Sequence, residues 1–200
     1  KKLGAELAKE THVDSDLIVP VPDSGIPAAI GYSEEVKKNV ELGIIRNHYV
    51  GRTFIEPTQQ IRSFGVKLKH NINKSLIKNK SLILIDDSLV RGTTSVKIIK
   101  MLYETGAKEV HLRIASPPIK YPDYYGVDTP NQSELLAAKF DLEDMRKFIN
   151  ATSLQFLSIE GLYNSMGHEK RNPLYPQFTD HCFTGEYPVK PIDAKNKNFF

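Results

Sequence analysis

The sequence predicts an α/β fold with a doubly wound, mostly parallel sheet flanked by helices, and three stretches carry that expectation. Residues 82–85 are Leu-Ile-Leu-Ile, apolar without alternation and bounded by turn-formers, as in a strand buried on both faces of a parallel sheet. From Ser95 the pattern changes to helical spacing, with Val96, Ile99 and Leu102 and, beside them, Met101 and Tyr103, until Gly106 supplies a good C-cap. Another apolar run, 110–115, follows. Strand, crossing helix and parallel strand in this rhythm imply a right-handed doubly wound sheet.

The remaining elements read in order, with no internal repeat. Leu3, Leu7 and Ala8 suggest a helix over 2–10, and 16–21 a strand. Pro27 opens a helix that runs to about Lys38, since proline suits a first turn. Residues 42–45 form a short strand. Residues 53–80 have weak periodicity and carry Arg62, Lys67, Lys69, Lys74, Lys78 and Lys80 against one acid, Glu56. Such a segment reads as a basic lid, as a solvated loop, or in part as a helix over 59–69. Asp128 to Asn131 ahead of the apolar run 135–138 reads as a capped helix, and 154–157 as an outer strand covering it. The chain after Gly167 is rich in proline, lysine and asparagine, which suggests a tail that wraps the domain or meets a partner. We therefore expect one domain over 1–167 and a tail over 168–200.

Composition narrows the function classes. Two hundred residues with 40% hydrophobic content can bury one substantial core. A net charge of +3 is too mild to imply nucleic acid, and no apolar stretch approaches membrane-spanning length. A single cysteine excludes an internal disulfide and suits a cytoplasmic location.

The chemistry concentrates where the strand over 82–85 ends. Asp86, Asp87 and Ser88 are followed by Arg91, Gly92, Thr93, Thr94 and Ser95, which open the next helix. In open α/β sheets ligands bind at such carboxyl edges, where a helix N-terminus presents free N–H groups to an anion. Glycine lets the backbone approach, and three hydroxyls can add hydrogen bonds to a phosphate. Two carboxylates beside that cradle would repel the phosphate unless they face a sugar diol, a Mg²⁺ ion or both. The stretch thus suits a ribose 5-phosphate, and the alternative is an ordinary strand end with capping residues. It is neither a Walker A loop nor a G-x-G-x-x-G loop. A second turn, Val21-Pro22-Asp23-Ser24-Gly25, ends the first strand. It could hold pyrophosphate or its metal, or Asp23 and Ser24 could be simple N-caps.

The whole string from Asp86 to Ser95 resembles the phosphoribosyl pyrophosphate signature of type I phosphoribosyltransferases. Together with Val19 to Gly25, Asn47 to Ile55 and Ala115 to Pro118, in that order and spacing, it resembles the amidophosphoribosyltransferase family up to about Tyr187. The resemblance implies a type I phosphoribosyltransferase fold with a long flexible catalytic loop, whose leading edge matches Asn47, Tyr49, Gly51, Arg52 and Ile55. It implies displacement of pyrophosphate from phosphoribosyl pyrophosphate by ammonia, the first step of purine synthesis. Asp86 to Ser88 and Arg91 to Ser95 would bind substrate; Tyr49, Arg52 and Lys69 would act catalytically; Ser24, Asp86 and Asp87 would face Mg²⁺. Competing readings are a nucleobase salvage enzyme of the same fold or a non-catalytic module that keeps the substrate site.

Departures from the family matter equally. His48 stands where relatives usually show arginine, and Gly25 where some have serine. Many members bind an iron–sulfur cluster through cysteines; here the corresponding positions are Asp123, Pro176 and Thr179, and one remaining thiol, Cys182, cannot ligate four irons. No cluster is expected. The other five histidines, His12, His70, His111, His168 and His181, show no metal-ligand spacing and read as surface or core residues. The family's N-terminal glutaminase domain is expected to be absent from this chain, so ammonia would come from solution. Purine nucleotide inhibitors and a homo-oligomeric intact protein are further expectations of the resemblance.

Overall fold

The computed structural model describes residues 1–47, 70–127 and 129–189. Strand β1 (Leu17–Pro20) pairs in parallel with β4 (Ser81–Asp86), β4 with β5 (Glu109–Ile114), and β5 with β6 (Ser153–Phe156). A single parallel bridge from Ile18 to Val40 lies outside these pairings. The chain thus leaves β1 toward Val40 but enters β4 by way of a separate two-stranded antiparallel ribbon, β2 (Ile44–Arg46) with β3 (His70–Ile72). That reversal of direction opens a crevice at the carboxyl ends of β1 and β4, where ligands bind in such sheets.

Both faces of the sheet are covered, as a parallel sheet requires. Ile18, Ile83 and Ile85 pack with Leu7 and Ala8 of α1 (Lys2–Thr11) and with Ala28, Ala29 and Tyr32 of α2 (Ile26–Val36). On the other face, Val19, Leu82 and Leu84 meet Ile98, Ile99 and Leu102 of α4 (Thr93–Thr105), and with them Ile77 of α3 (Lys74–Ile77). Glycine lets α1 and α2 cross closely, because a Cβ at Gly4 would lie 1.9 Å from the Ala28 carbonyl oxygen. The doubly wound fold is as expected. Gly106 caps α4 with φ of 101°, in the left-handed region.

Three local expectations need correction, and the chain after Gly167 gains detail. The short strand begins at Ile44 rather than at residue 42, since Leu42 is exposed and the ribbon register starts at Ile44 opposite Ile72. Residues 70–80, the described part of the long weakly periodic segment, are not structureless: β3 pairs with β2, and α3 packs into the core through Ile77. The helix expected after residue 128 is split into a 3₁₀ turn (Gln132–Glu134) and α5 (Leu136–Lys139), and Leu135 at its N-cap offers no side-chain oxygen. Asp128 lies outside the described residues. The chain from 168 to 189 docks on the domain: Arg171 pairs with the buried Asp180, and α8 (His181–Thr184) packs on the loop after β5, with Cys182 O accepting from the N–H groups of Lys120 and Tyr121 at 3.0 and 3.1 Å.

Two helices escaped the sequence reading although their caps are visible in it. Asp141 caps α6 (Leu142–Ile149) by accepting from Asp144 N–H at 2.8 Å, and Asn150 ends it in the left-handed region. Ser158 caps α7 (Ile159–Ser165) by accepting from Gly161 N–H at 2.8 Å. Each such cap contributes about 1 kcal/mol.

Candidate active site

A cleft of about 630 Å³ lies at the carboxyl ends of β1 and β4, within the range typical of small-ligand sites. Its walls are built by two chain reversals. Val21 N–H donates to Ile85 O at 2.8 Å, which draws the turn after β1 against β4. A Cβ at Gly25 would sit 2.3 Å from that same Ile85 oxygen, so glycine is required there by space. This explains the missing serine oxygen at position 25 in physical terms.

Ser24 Oγ thereby comes to 3.4 Å from Asp86 Oδ1, and Asp87 N–H donates to the same oxygen at 2.9 Å. Asp86 is buried while Asp87 is exposed. Burial, and then the neighbouring Asp87 carboxyl, push the Asp86 pKa well above the usual carboxylate range. The carboxylate is therefore starved of positive charge. An oxygen-only donor set in that condition suits a hard cation such as Mg²⁺.

The opposite wall is the α4 N-terminus. Gly92, at φ of 74°, turns the chain into the helix, and a Cβ there would meet Leu136 Cδ2 at 2.9 Å. Leu136 N–H donates to Val90 O at 2.8 Å, so α5 holds the loop from behind. The first-turn N–H groups of α4 have no partners within the helix, and its dipole end faces the cleft. Thr93 and Thr94 are exposed, and Ser95 is buried.

The sequence-named residues Ser24, Asp86, Asp87, Ser88, Arg91, Gly92, Thr93, Thr94 and Ser95 all line this one cleft. Arg91 is turned partly aside, its Nε donating to Glu134 at 3.0 Å, an exposed ion pair of small worth. Tyr49, Arg52 and Lys69, with His48, lie outside the described residues. Two wall residues were missed by the sequence reading. Arg46 and His70 face each other across the β2–β3 ribbon and both line the cleft. Arg46 pairs with Asp23 while its Nε is buried without a partner among the described residues, which leaves a donor for an anion. Its signal was position, directly before the family-like stretch that begins at Asn47.

No family model matches the chain. It is 59% identical over 99% of its length to an amidophosphoribosyltransferase of Rhizobium etli, covering 40% of that protein. It is 50% identical over 97% of its length to the chloroplastic amidophosphoribosyltransferase 2 of Arabidopsis thaliana, covering 34% of it. Among solved structures, the glutamine phosphoribosylpyrophosphate amidotransferase of Bacillus subtilis, complexed with ADP and GMP, superposes with a TM-score of 0.83 at 46% identity, over 94% of this chain and 41% of that one. The chain thus spans well under half the length of the relatives it matches. Over the segment it spans, this chain belongs to the amidophosphoribosyltransferase family.

Proposed function

We propose that the cleft binds phosphoribosyl pyrophosphate and promotes displacement of its pyrophosphate by ammonia, giving 5-phosphoribosylamine. The observation that carries this reading is the meeting, in one cleft, of a cation-starved acidic pair, a free helix N-terminus and a partly unpaired arginine. The 5-phosphate lies on the α4 N-terminus, with Thr93, Thr94 and Ser95 as donors. Asp86 and Asp87 hold the ribose hydroxyls and face the metal, with Ser24 beside them. Mg²⁺, when bound, supplies charge neutralisation for the departing pyrophosphate. Arg46 and Arg91 add positive charge at the rim. Tyr49, Arg52 and Lys69 belong to the same proposal, as catalytic residues that stabilise the charge of the departing pyrophosphate. Ammonia then attacks C1 as the C1–oxygen bond to pyrophosphate breaks, with inversion, and the chain's main contribution is positioning and electrostatics.

The same reading includes a phosphoribosyltransferase domain over 1–167 with a tail over 168–200, and purine nucleotides as inhibitors, supported by the ADP and GMP in the Bacillus subtilis structure. Ammonia supplied by a glutaminase domain, a homo-oligomeric intact protein and a cytoplasmic location complete it. Among the described residues no helix is long and apolar enough to cross a membrane. The test is pyrophosphate release from phosphoribosyl pyrophosphate with Mg²⁺ and excess ammonium at alkaline pH. Release that depends on ammonium supports the proposal. Binding without release would favour a non-catalytic module, and release dependent on a nucleobase a salvage enzyme.

A further inference from the structure

A second polar centre lies where the loop after β5 meets α8, and none of its residues lines the cleft. Asp123, His181 and Cys182 bring one donor atom each to within 4.8 Å of one another. His181 Nε2 hydrogen-bonds to Asp123 Oδ2, and Cys182 Sγ donates to the same oxygen at 3.7 Å. The other carboxylate oxygen, Oδ1, accepts the N–H groups of Tyr125 and Val127 at 2.7 and 3.0 Å, which turns Oδ2 toward the histidine and the thiol. The imidazole is held between Tyr187, stacked at 4.3 Å, and Tyr125, edge-on at 5.0 Å. The side chains of Asp123 and His181 are 5% and 4% exposed. No metal-ligand spacing marks His181 in the sequence; the fold brings Asp123 to it from 58 positions away.

One cysteine cannot hold a four-iron cluster, so this donor set has to be judged on its own chemistry. We propose that Asp123, His181 and Cys182 bind a single divalent transition ion of the Zn²⁺ class, which staples α8 to the loop after β5. Mixed nitrogen, oxygen and sulfur donors are the Zn²⁺ pattern. A carboxylate, a thiolate and a neutral imidazole carry two negative charges, so the loaded site is electrically neutral, as a buried site needs. Atoms bound to a tetrahedral Zn²⁺ lie roughly 3.3 to 3.8 Å apart, given bonds of about 2.0 to 2.3 Å. The Asp123–Cys182 separation already fits, and the Asp123–His181 hydrogen bond opens to admit the ion. On binding, the thiol proton leaves to solvent and the imidazole proton moves from Nε2 to Nδ1.

The test uses the chelator-treated chain titrated with Co²⁺ and then Zn²⁺. Expected are one Co²⁺ per chain, the intense visible bands of a tetrahedral site with a thiolate-to-cobalt charge-transfer band, and displacement of Co²⁺ by Zn²⁺. Cys182→Ser should abolish the charge-transfer band, and Asp123→Asn should weaken binding tenfold or more. A weak octahedral spectrum, no stoichiometric binding, or a spectrum unchanged in Cys182→Ser would overturn the proposal. If either variant fails to fold, X-ray absorption of the Zn²⁺-loaded wild-type chain decides: one sulfur at about 2.3 Å supports the site, and a shell of oxygen and nitrogen alone rejects it.

Discussion

Asp86 and Asp123 are both carboxylates shut away from water, yet their surroundings push them in opposite directions. At Asp86, burial and the adjacent Asp87 raise the pKa, and its donors are one backbone N–H and a long contact from Ser24. At Asp123, burial also works upward, but the N–H groups of Val127 and Tyr125 and the side chain of His181 outweigh it and leave the pKa below the usual range. Asp180, in the same docked segment, is likewise held low: Arg171, Tyr163 and Thr184 donate to it and outweigh its burial. The difference separates carboxylates that meet several donors from the fold, at Asp123 and Asp180, from one that meets few, at Asp86. The Arg171–Asp180 pair ties the docked segment together, whereas the cleft leaves Asp86 short of donors where substrate and cation belong.

The comparison is broken most strongly at the docked segment. Arg171→Ala leaves the 3% exposed Asp180 carboxylate without its partner and should cost about 3 to 5 kcal/mol, seen as a lower denaturation midpoint. A loss below about 1 kcal/mol would mean that Asp180 is satisfied without it. In the cleft, Asp86→Asn should act with the other sign. Because the folded pKa is raised, the folded protein holds this proton where the unfolded chain has lost it, so wild-type stability falls as pH rises from the unfolded value through the folded one. The variant should therefore melt higher than wild type at neutral pH, with the gain fading toward pH 3, while phosphoribosyl pyrophosphate affinity falls at least tenfold. Equal melting at pH 7 would contradict the charge-starved account.

Gly92→Ala tests the helix-end wall. A side chain at φ of 74° with Leu136 at 2.9 Å should cost roughly 1 to 2 kcal/mol and weaken substrate binding, measured by calorimetry. Smallest is Glu134→Ala, which frees Arg91. Stability should change by no more than about 0.5 kcal/mol, and pyrophosphate affinity should be unchanged or slightly higher. A large drop would make Glu134 a part of the site rather than a tether.

The two regions also differed in how readable they were. The cleft was legible because its residues are contiguous: a strand, an acidic pair and a helix start follow one another, so local pattern and site coincide. Arg46 and His70 were not, since their proximity depends on the register of a short ribbon whose strands are 23 residues apart, from 46 to 70 exclusive. The helices α6 and α7 were overlooked although Asp141 and Ser158 mark their starts and Leu142, Met145, Phe148 and Ile149 recur at helical spacing in α6; both are short, so little periodic pattern accumulates. Asp123 and His181 lie 58 positions apart, and no local spacing announces a pairing over that distance.

What this amino-acid sequence determined by itself is the alternation of buried strands and amphipathic helices and the phosphate-type loop at one strand end. Both are short-range consequences of side-chain periodicity and of glycine and hydroxyl placement. The charge balance of each buried carboxylate was decided only by the tertiary structure. Desolvation and donor count depend on which distant segments close around a group: Ser24 beside Asp86, Arg171 on Asp180, and His181 with Cys182 on Asp123. Those enclosures are made by packing, and packing brings together what sequence distance keeps apart.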